Sequence, residues 1–449
     1  MANSYLEANM TGNTASTRMT FSCWIKINKV DEDGRIFGAQ ANACHAYFNG
    51  DGRLNIDFAA KDSGSVSAKL LTSRKFRDTS AWYHIVFALD TTLGTADDRI
   101  KLWVNGVQET AFDTRTNPGQ NDTYAYGQSG YYNVGARSSN TGSAGHYFEG
   151  YISHAAYVDG SALAPTVFGE TDSTSGIWKF KSPSGVTWGT NGFHLKFENS
   201  AALGTDSSGN SNTFTVNGNL KQSLDTPSNS YATLNPLNVP TSNAPTFSLG
   251  NTKTITMNTD PGYFGGTTTF GASQGKWYTE IKITDDNGVG TVGITFDPAE
   301  KARQGTTFSA QISDSFVYAN TGKQYSSATG NSGATYGNTY TDGDIIGIAM
   351  DLDNSKLYFH KNGTYQNSGV PTSGSTGTGA ISITAGETYF FYLTDVGGTT
   401  ATYECNFGNG HFGTTAITSA GSNGNGSLFE YDVPTGYYAL NTKNINTYG

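Results

Sequence analysis

Seven histidines, three cysteines and 37 carboxylates are the groups in this 449-residue chain with catalytic chemistry to offer, and their spacing decides whether they can use it. The histidines (His45, His84, His146, His154, His194, His360 and His411) form no H-E-x-x-H or other close ligand pair of the kind that holds zinc. His84 and His194 fall in predicted strands, where packing is the expected role. No G-x-S-x-G elbow occurs, and a chain of strands would not supply its strand-to-helix turn, so a nucleophilic triad has no support. A retaining glycoside hydrolase needs two carboxyls about 5–5.5 Å apart. The nearest acidic strands are EIKITDD (280–286) and RLNIDFAAKD (53–62). Catalytic residues are therefore none on this reading. Cys23, Cys44 and Cys405 make neither an even-numbered framework nor a metal-type pair. A Cys23–Cys44 bridge is one option; buried free thiols made in a reducing cytoplasm are the favoured one.

Calcium is the one cofactor with a sequence basis, because hard cations take oxygens from loops. Asp206, Asn210 and Asn212 in DSSGNSN place side-chain oxygens at alternate positions. The competing and favoured reading is an Asx turn, in which Asp206 and Asn210 accept backbone N–H groups and Gly209 takes positive φ. The expectation is thus no metal and no other cofactor. Binding without chemistry has more support. Sugars are held by aromatic faces and by amide and hydroxyl hydrogen bonds, and two Gly-rich loops concentrate both. NDTYAYGQSGYYN (121–133) carries Tyr124, Tyr126, Tyr131 and Tyr132; KQYSSATGNSGATYGNTYTDG (323–343) carries Tyr325, Tyr336 and Tyr340. These seven tyrosines are the candidate ligand-binding residues, the alternative being that they cover the ends of the fold or pack on a neighbouring subunit.

The composition fits a binding or structural role. Charged residues make up 14% of the chain, against roughly 25% in ordinary soluble domains. With 26 Tyr, 25 Phe and 6 Trp the chain has ample apolar area to offset folding entropy, which excludes disorder. A net charge of −10 with no basic run argues against nucleic acid. No apolar stretch approaches the ~20 residues of a membrane-spanning helix, so membrane insertion is not expected. The start, MANSYLEANM, lacks the basic and apolar regions of a signal peptide, so an extracellular destination implies another route, such as assembly into a particle released by lysis.

The elements that must position these residues are strands. TFSCWIKI (20–27), CHAYFNGDGRLNIDF (44–58), AWYHIVFALD (81–90), RIKLWVNGVQET (99–110) and YFEGYISHAAYV (147–158) alternate or are β-branched and aromatic, and each closes at Gly, Asn or Asp. Helical period is confined to PAEKARQ (298–304) and SALAPTVF (161–168). The fold class predicted is all-β, two tandem antiparallel β-sandwiches (jelly rolls) with very little helix. Four prolines between Leu220 and Ser248 suggest an extended connector. The expected division is a sandwich over 1–220, a linker over 221–247 and a second sandwich with an extension over 248–449. Each half holds a similar hairpin, HIVFALDTTLGTADDRIKLWVNG and DIIGIAMDLDNSKLYFHKNG, closing at Asn-Gly, the pair preferred where φ must be positive.

On those pieces the first half resembles the laminin-G-like, or concanavalin A-like, family over most of 18–163. FHLKFENSAALGTDSSGNSNTFTVNGN (193–219) looks like the strand and loop that normally open such a module, and is expected to return and complete a sheet. The resemblance implies a jelly roll whose relatives include glucanases. Laminarinase-type members carry Glu-x-Asp-x-x-Glu on one strand, a spacing that neither acidic strand here reproduces. GKWYTEIKI (275–283), VGITF (292–296) and GDIIGIAMDLDNSKLYFHKNGT (343–364) resemble the SPRY family, which implies a second concanavalin-like sandwich that usually binds peptides or proteins through loops at one end.

The order of pieces as a whole, with the joint DGSALAPTVFGETDSTSGIWKFK and the phrase TPSNSYATLNPL between the two units, is similar to structural proteins of tailed, especially marine, phages. That resemblance implies a non-enzymatic virion protein, a tail-fibre or capsid-fibre component on the virion surface that recognises host glycan. Its expected partners are other virion proteins, a host-surface glycan or receptor, and further copies of itself. The rival readings are a purely architectural capsid-decoration or tail-assembly protein and a polysaccharide glycosidase. The first ~17 residues are expected to be either an attachment arm or an ordinary edge strand.

Overall fold

The structure is a computed structural model describing residues 4–14, 17–30, 33–39, 44–60, 65–137, 145–241, 244–255, 264–286, 289–299, 308–395 and 400–449. The chain is nearly all β, with two α-helices among the described residues, Phe308–Ile312 and Thr442–Tyr448. It divides into two units, Met1–Gln222 and Ser223–Gly449.

In the first unit two antiparallel sheets enclose one core. The larger runs Phe112–Thr116, Val66–Lys75, Arg53–Ala59, Cys44–Phe48, Gly34–Ala39, Gly130–Val134, Tyr5–Met10, Thr215–Asn217. The smaller runs Phe193–Leu195, Gly150–Asp159, Arg18–Ile27, Tyr83–Asp90, Ile100–Val104, Val107–Gln108. Residues 193–217 therefore add an outermost strand to each sheet, and the segment of uncertain role at the start is an interior strand, paired on both sides. Alternation sends Met19, Phe21, Cys23, Ile25 and Ile27 inward. Their neighbours Thr20, Ser22, Trp24 and Lys26 are buried as well. The reason is a cover on the opposite face: the hairpin Gly169–Thr171 with Trp178–Phe180 and the chain that follows it lie over the smaller sheet. Trp178 donates its indole N–H to His84 Nδ1 at 2.9 Å, Phe180 stacks on His154 with centroids 3.6 Å apart, and Trp188 stacks on His194 at 5.6 Å. Trp178 lies so close over Gly106 and Gly169 that a Cβ at either would sit 2.5 Å from its ring.

The second unit repeats the plan. One sheet runs Thr246–Ser248, Lys253–Ile255, Ala401–Asn406, Lys276–Asp286, Ile345–Asp351, Lys356–Lys361, Thr364–Tyr365; the other runs Phe264–Thr267, Phe390–Thr394, Thr291–Thr295, Ser315–Ala319, Lys323–Tyr325, Ala334–Thr335. Trp277, Ile281, Ile283, Ile346, Ile348 and Phe391 fill the space between them. Tyr278, Tyr358, Phe429, Val433 and Tyr437 make a smaller core on the other side of the first sheet.

The Pro-bearing segment expected to be a linker differs from that expectation. From Ser223 it belongs to the second unit, with Tyr231, Ala232 and Leu234 buried. Ala232 N–H donates to the Leu440 carbonyl at 2.9 Å and Leu234 N–H to that of Asn251 at 2.8 Å. Before Thr246 its described backbone is satisfied by isolated bonds, and only its end enters a ladder, Thr246–Ser248 with Lys253–Ile255, so little alternation advertised it. Residues 300–304 of the expected helix at 298–304 lie outside the described residues; over 161–168 a single 3-10 turn forms, Pro165–Val167. Both Asn-Gly pairs turn the chain at positive φ, 49° and 77° at Asn105 and Gly106, 48° and 82° at Asn362 and Gly363, each from the hairpin's second strand into a further two-residue strand, Val107–Gln108 and Thr364–Tyr365.

Cys23, Cys44 and Cys405 are free and buried. Burial pushes all three thiols up, Cys44 to about 12, so almost no thiolate exists at neutral pH. The native protein is expected to resist a thiol-reactive dye at pH 8, and all three cysteines to label after denaturation; rapid native labelling would contradict the buried placement.

Candidate functional site

The tyrosines expected to face a ligand mostly do the opposite. Tyr124, Tyr126 and Tyr132 are 0% exposed and belong to the first core. Tyr336 and Tyr340 belong to the second core, and Tyr325 packs against Ile312 and Tyr392. The Tyr340 hydroxyl donates toward the carbonyls of Gly290 and Tyr318, both at 2.9 Å, and the Tyr336 hydroxyl accepts from Phe359 N–H at 3.2 Å. The Gly-rich loops are tied down by rings that turn inward, because a loop with few aliphatic residues can bury area only through its aromatics. Tyr131 alone of the seven is part-exposed.

The DSSGN loop is an Asx turn. Asp206 accepts backbone N–H groups from His194, Ser208 and Asn212, each at 2.9 Å. Asn210, expected to accept backbone N–H groups, instead donates to the carbonyls of Gly189 and Gly192, and Asn212 donates to those of Thr190 and Gly192. Their side chains serve the fold, and Gly209 has φ 96°.

Tyr131 belongs to a site that register assembles. Across the larger sheet of the first unit one row of paired residues crosses all eight strands: Thr116, Lys69, Asp57, His45, Gly38, Asn133, Glu7, Thr215. Their alternate neighbours Ala46, Ile56, Tyr132, Leu6 and Ala8 fill the core, so this row lies on the opposite face. Gly38 is buried, as are its row partners His45 and Asn133, which stand two strand spacings or roughly 10 Å apart. Around the row sit four part-exposed tyrosines, Tyr5, Tyr47, Tyr131 and Tyr147. Tyr5 and Tyr147 touch with centroids 5.8 Å apart, and the Arg35 guanidinium lies 3.6 Å over the Tyr47 ring.

The polar groups beneath this face are under-satisfied. His45 Nε2, Asn133 Oδ1, Glu7 Oε2, Arg35 Nε and Arg137 Nε are buried with no hydrogen-bond partner among the described residues. An orphaned buried polar atom costs about 1–3 kcal/mol, and these five are closed to solvent, so they lower the stability of this face without forming a contact surface. Burial, with the charges of Arg35, Arg137 and His146, drives His45 down to about 3, which keeps its imidazole neutral. Burial raises Glu7, opposed by a hydrogen bond from Asn133. The carboxyls of the row, Asp57 and Glu7, stand four strand spacings apart, roughly 19 Å at ~4.8 Å per strand. That is far beyond the about 5–9.5 Å that a glycoside hydrolase needs.

The fold is that of two antiparallel β-sandwiches in one chain. Residues 1–167 match the family described as the concanavalin A-like lectin/glucanases superfamily, and residues 276–387 match the SPRY domain; both domains are present in this chain. Among solved structures the chain is similar to the SPRY domain of human HERC1, at 17% identity and TM-score 0.24 over 32% of this chain and 80% of that one. It is similar to a putative carbohydrate binding protein from Bacteroides ovatus, at 15% identity and TM-score 0.33 over 50% of this chain and 60% of that one. It is also similar to a heptameric SAP-like pentraxin from Limulus polyphemus, at 16% identity and TM-score 0.30 over 48% of this chain and 89% of that one. No curated protein matches the chain.

Sequence reasoning missed Tyr5, Tyr47, Tyr147, Arg35, Arg137, His45 and Asn133. The signal was the polar or aromatic residue at every second position of YLEANM, CHAYF and YYNV, where one face is core and the other is neither bare nor charged throughout.

Proposed function

We propose that the protein is a non-enzymatic virion component of a tailed phage that recognises carbohydrate on the host surface, and that it does so through the larger sheet of its first unit. The observation that carries the reading is the set of four part-exposed tyrosines, Tyr5, Tyr47, Tyr131 and Tyr147, around that face. A sugar offers C–H faces for the rings, and hydroxyls that both donate and accept for the tyrosine hydroxyls at their edges. The separation of Asp57 from Glu7 supports binding without hydrolysis. The phage assignment rests on the order of pieces along the chain: laminin-G-like unit, joint, SPRY-like unit.

The test is a glycan-array and host-adsorption measurement on the purified protein. Wild type is expected to bind host-derived polysaccharide and to compete with particles for cells. Tyr131→Ala should weaken binding about 5-fold, and Tyr47→Ala with Tyr131→Ala about 30-fold, from ~1 kcal/mol per stacking ring. Binding unchanged in a folded double variant, or no competition by wild type, would overturn the reading. A particle reconstruction in which the protein is enclosed on all sides would favour the architectural role instead.

A further inference from the structure

The cover over the smaller sheet of the first unit is fastened at its ends and nearly free between them. Phe168 is buried at one end, and at the other the Trp188 carbonyl accepts from Asp159 N–H at 2.8 Å. No residue from 170 to 187 is buried. The hairpin Gly169–Thr171 with Trp178–Phe180 pairs with itself and, among the described residues, forms no ladder with the sheet beneath. Among those residues one hydrogen bond ties 169–187 to that sheet, from the Trp178 indole to His84 Nδ1 at 2.9 Å.

That bond is intolerant of a proton. An indole N–H only donates, so Nδ1 is the bare nitrogen, and the His84 proton sits on Nε2, facing Ser22 Oγ at 2.9 Å. An imidazolium carries protons on both nitrogens, and its Nδ1–H would point head-on at the indole N–H. The ring is 0% exposed and lies between Trp24 and Trp178, at centroid distances of 4.6 and 6.0 Å. Its surroundings offer a positive charge no compensation. Ser22, Trp24 and Asn105 are neutral, and the titratable group whose field reaches it from Gly150–Asp159 is His154, of like sign. His154 faces His194 and Lys196, and His194 faces Lys196 and Asp206. On the cover itself Lys179 pairs with Asp172 and Glu170, and Lys181 donates to the Thr166 carbonyl.

We propose that residues 169–187 are an acid-released strap: a proton on His84 breaks its bond to Trp178 and uncovers the outer face of the smaller sheet while the sandwich stays folded. Burial holds His84 down to about 3 with the strap closed. A value below the ordinary 6.5 means that the closed state binds the proton less tightly than the open one, in which the ring meets water. Closure is therefore fully favoured above about pH 6.5 and weakens about tenfold per unit as pH falls from there toward 3. His154 and His194, each held down to about 4 by burial, lie beneath Phe180 and Trp188 and act in the same direction. The packing between the two sheets, by residues such as Met19, Phe21 and Ile85, has no charge to gain in this range.

The experiment titrates the full chain, labelled with nitrogen-15 tryptophan, from pH 7.5 to 4.5; indole resonances read the strap and near-ultraviolet dichroism reads the core. The Trp178 resonance, assigned by its absence in Trp178→Phe, is expected to leave its hydrogen-bonded position below pH 6.5 while the dichroism holds. His84→Gln presents an amide oxygen to the indole N–H and takes no proton, so it should move that transition down by at least one pH unit. A Trp178 resonance that stays in place to pH 4.5, that moves only together with loss of the dichroism, or that moves identically in folded His84→Gln would overturn the inference. If His84→Gln does not fold, the wild-type titration decides by itself, because strap and core are read on separate signals.

Discussion

Truncating Tyr126 to alanine is expected to cost the first unit about 4 kcal/mol, whereas Tyr126→Phe should be neutral or stabilising by about 1 kcal/mol. The ring is fully buried and lies against Phe37, Phe58, Phe87 and Tyr157, at centroid distances of 5.9, 5.4, 6.3 and 6.4 Å. It therefore bridges strands of both sheets, and its loss opens a cavity that four aromatic neighbours cannot close. The hydroxyl has no hydrogen-bond partner among the described residues. Removing it leaves the ring contacts and deletes an unsatisfied group, so the two variants should part in opposite directions. Chemical denaturation of residues 1–222, followed in the full chain by near-ultraviolet dichroism, reads both. A Tyr126→Ala protein that stays as stable as wild type but loses carbohydrate binding would restore the ligand role and contradict the core placement.

Glu280→Ala is expected to destabilise the second unit by about 3–5 kcal/mol, for a different reason. The Glu280 carboxyl is 0% exposed and is surrounded by donors: Tyr278 hydroxyl at 2.9 Å, the N–H groups of Glu430 and Tyr431 at 2.8 Å each, and Asn406 Nδ2 at 3.4 Å. The Tyr278 hydroxyl in turn meets His360 Nε2 at 2.7 Å, and His360 Nδ1 accepts from Gly363 N–H at 3.1 Å. Burial holds His360 neutral, down to about 3. One chain of hydrogen bonds thus runs from a hairpin turn to the segment that lies over the sheet, and alanine orphans four donors at once.

Burial also raises Glu280 to about 7, against the pull of the two backbone N–H groups and Tyr278. A folded value above the unfolded 4.5 means that the native state binds the proton more tightly. That stabilisation is complete below about pH 4.5 and is lost as pH rises through about 7. Wild type is accordingly expected to lose on the order of 3 kcal/mol across that window, and Glu280→Gln, uncharged throughout, to show a flatter profile at lower overall stability. Thermal denaturation of both proteins from pH 4 to 8 checks it; parallel profiles would overturn the assignment to Glu280.

Strand positions were legible from residue types. Period-two alternation in TFSCWIKI and in the two Asn-Gly hairpins predicts strands and turns that the structure forms, since β-propensity and positive φ are local matters. The Asx turn at Asp206 was legible for the same reason. From Ser223 to the strand at Thr246 the segment was opaque, because its backbone groups find partners singly, several of them in distant chain such as Leu440, Asn251 and Thr267.

The candidate site was legible only in Tyr131. Tyr124, Tyr126 and Tyr132 share its loop composition, and whether a ring turns in or out depends on what lies opposite it. His45, Asn133 and Glu7 come from strands far apart in sequence, and Gly34–Ala39 pairs with Gly130–Val134 although the intervening chain builds four other strands of the same sheet.

By itself the sequence determined that this chain is a low-charge, aromatic-rich succession of strands closed by Gly and Asn turns, because each of those properties resides in a few consecutive residues. The tertiary structure alone decided which face of each strand is core, which aromatic rings are spent on stability and which remain for a ligand. It brought a row of polar side chains onto one sheet face through non-sequential pairing, and strand register of that kind is a property of contacts between distant segments that no local window contains.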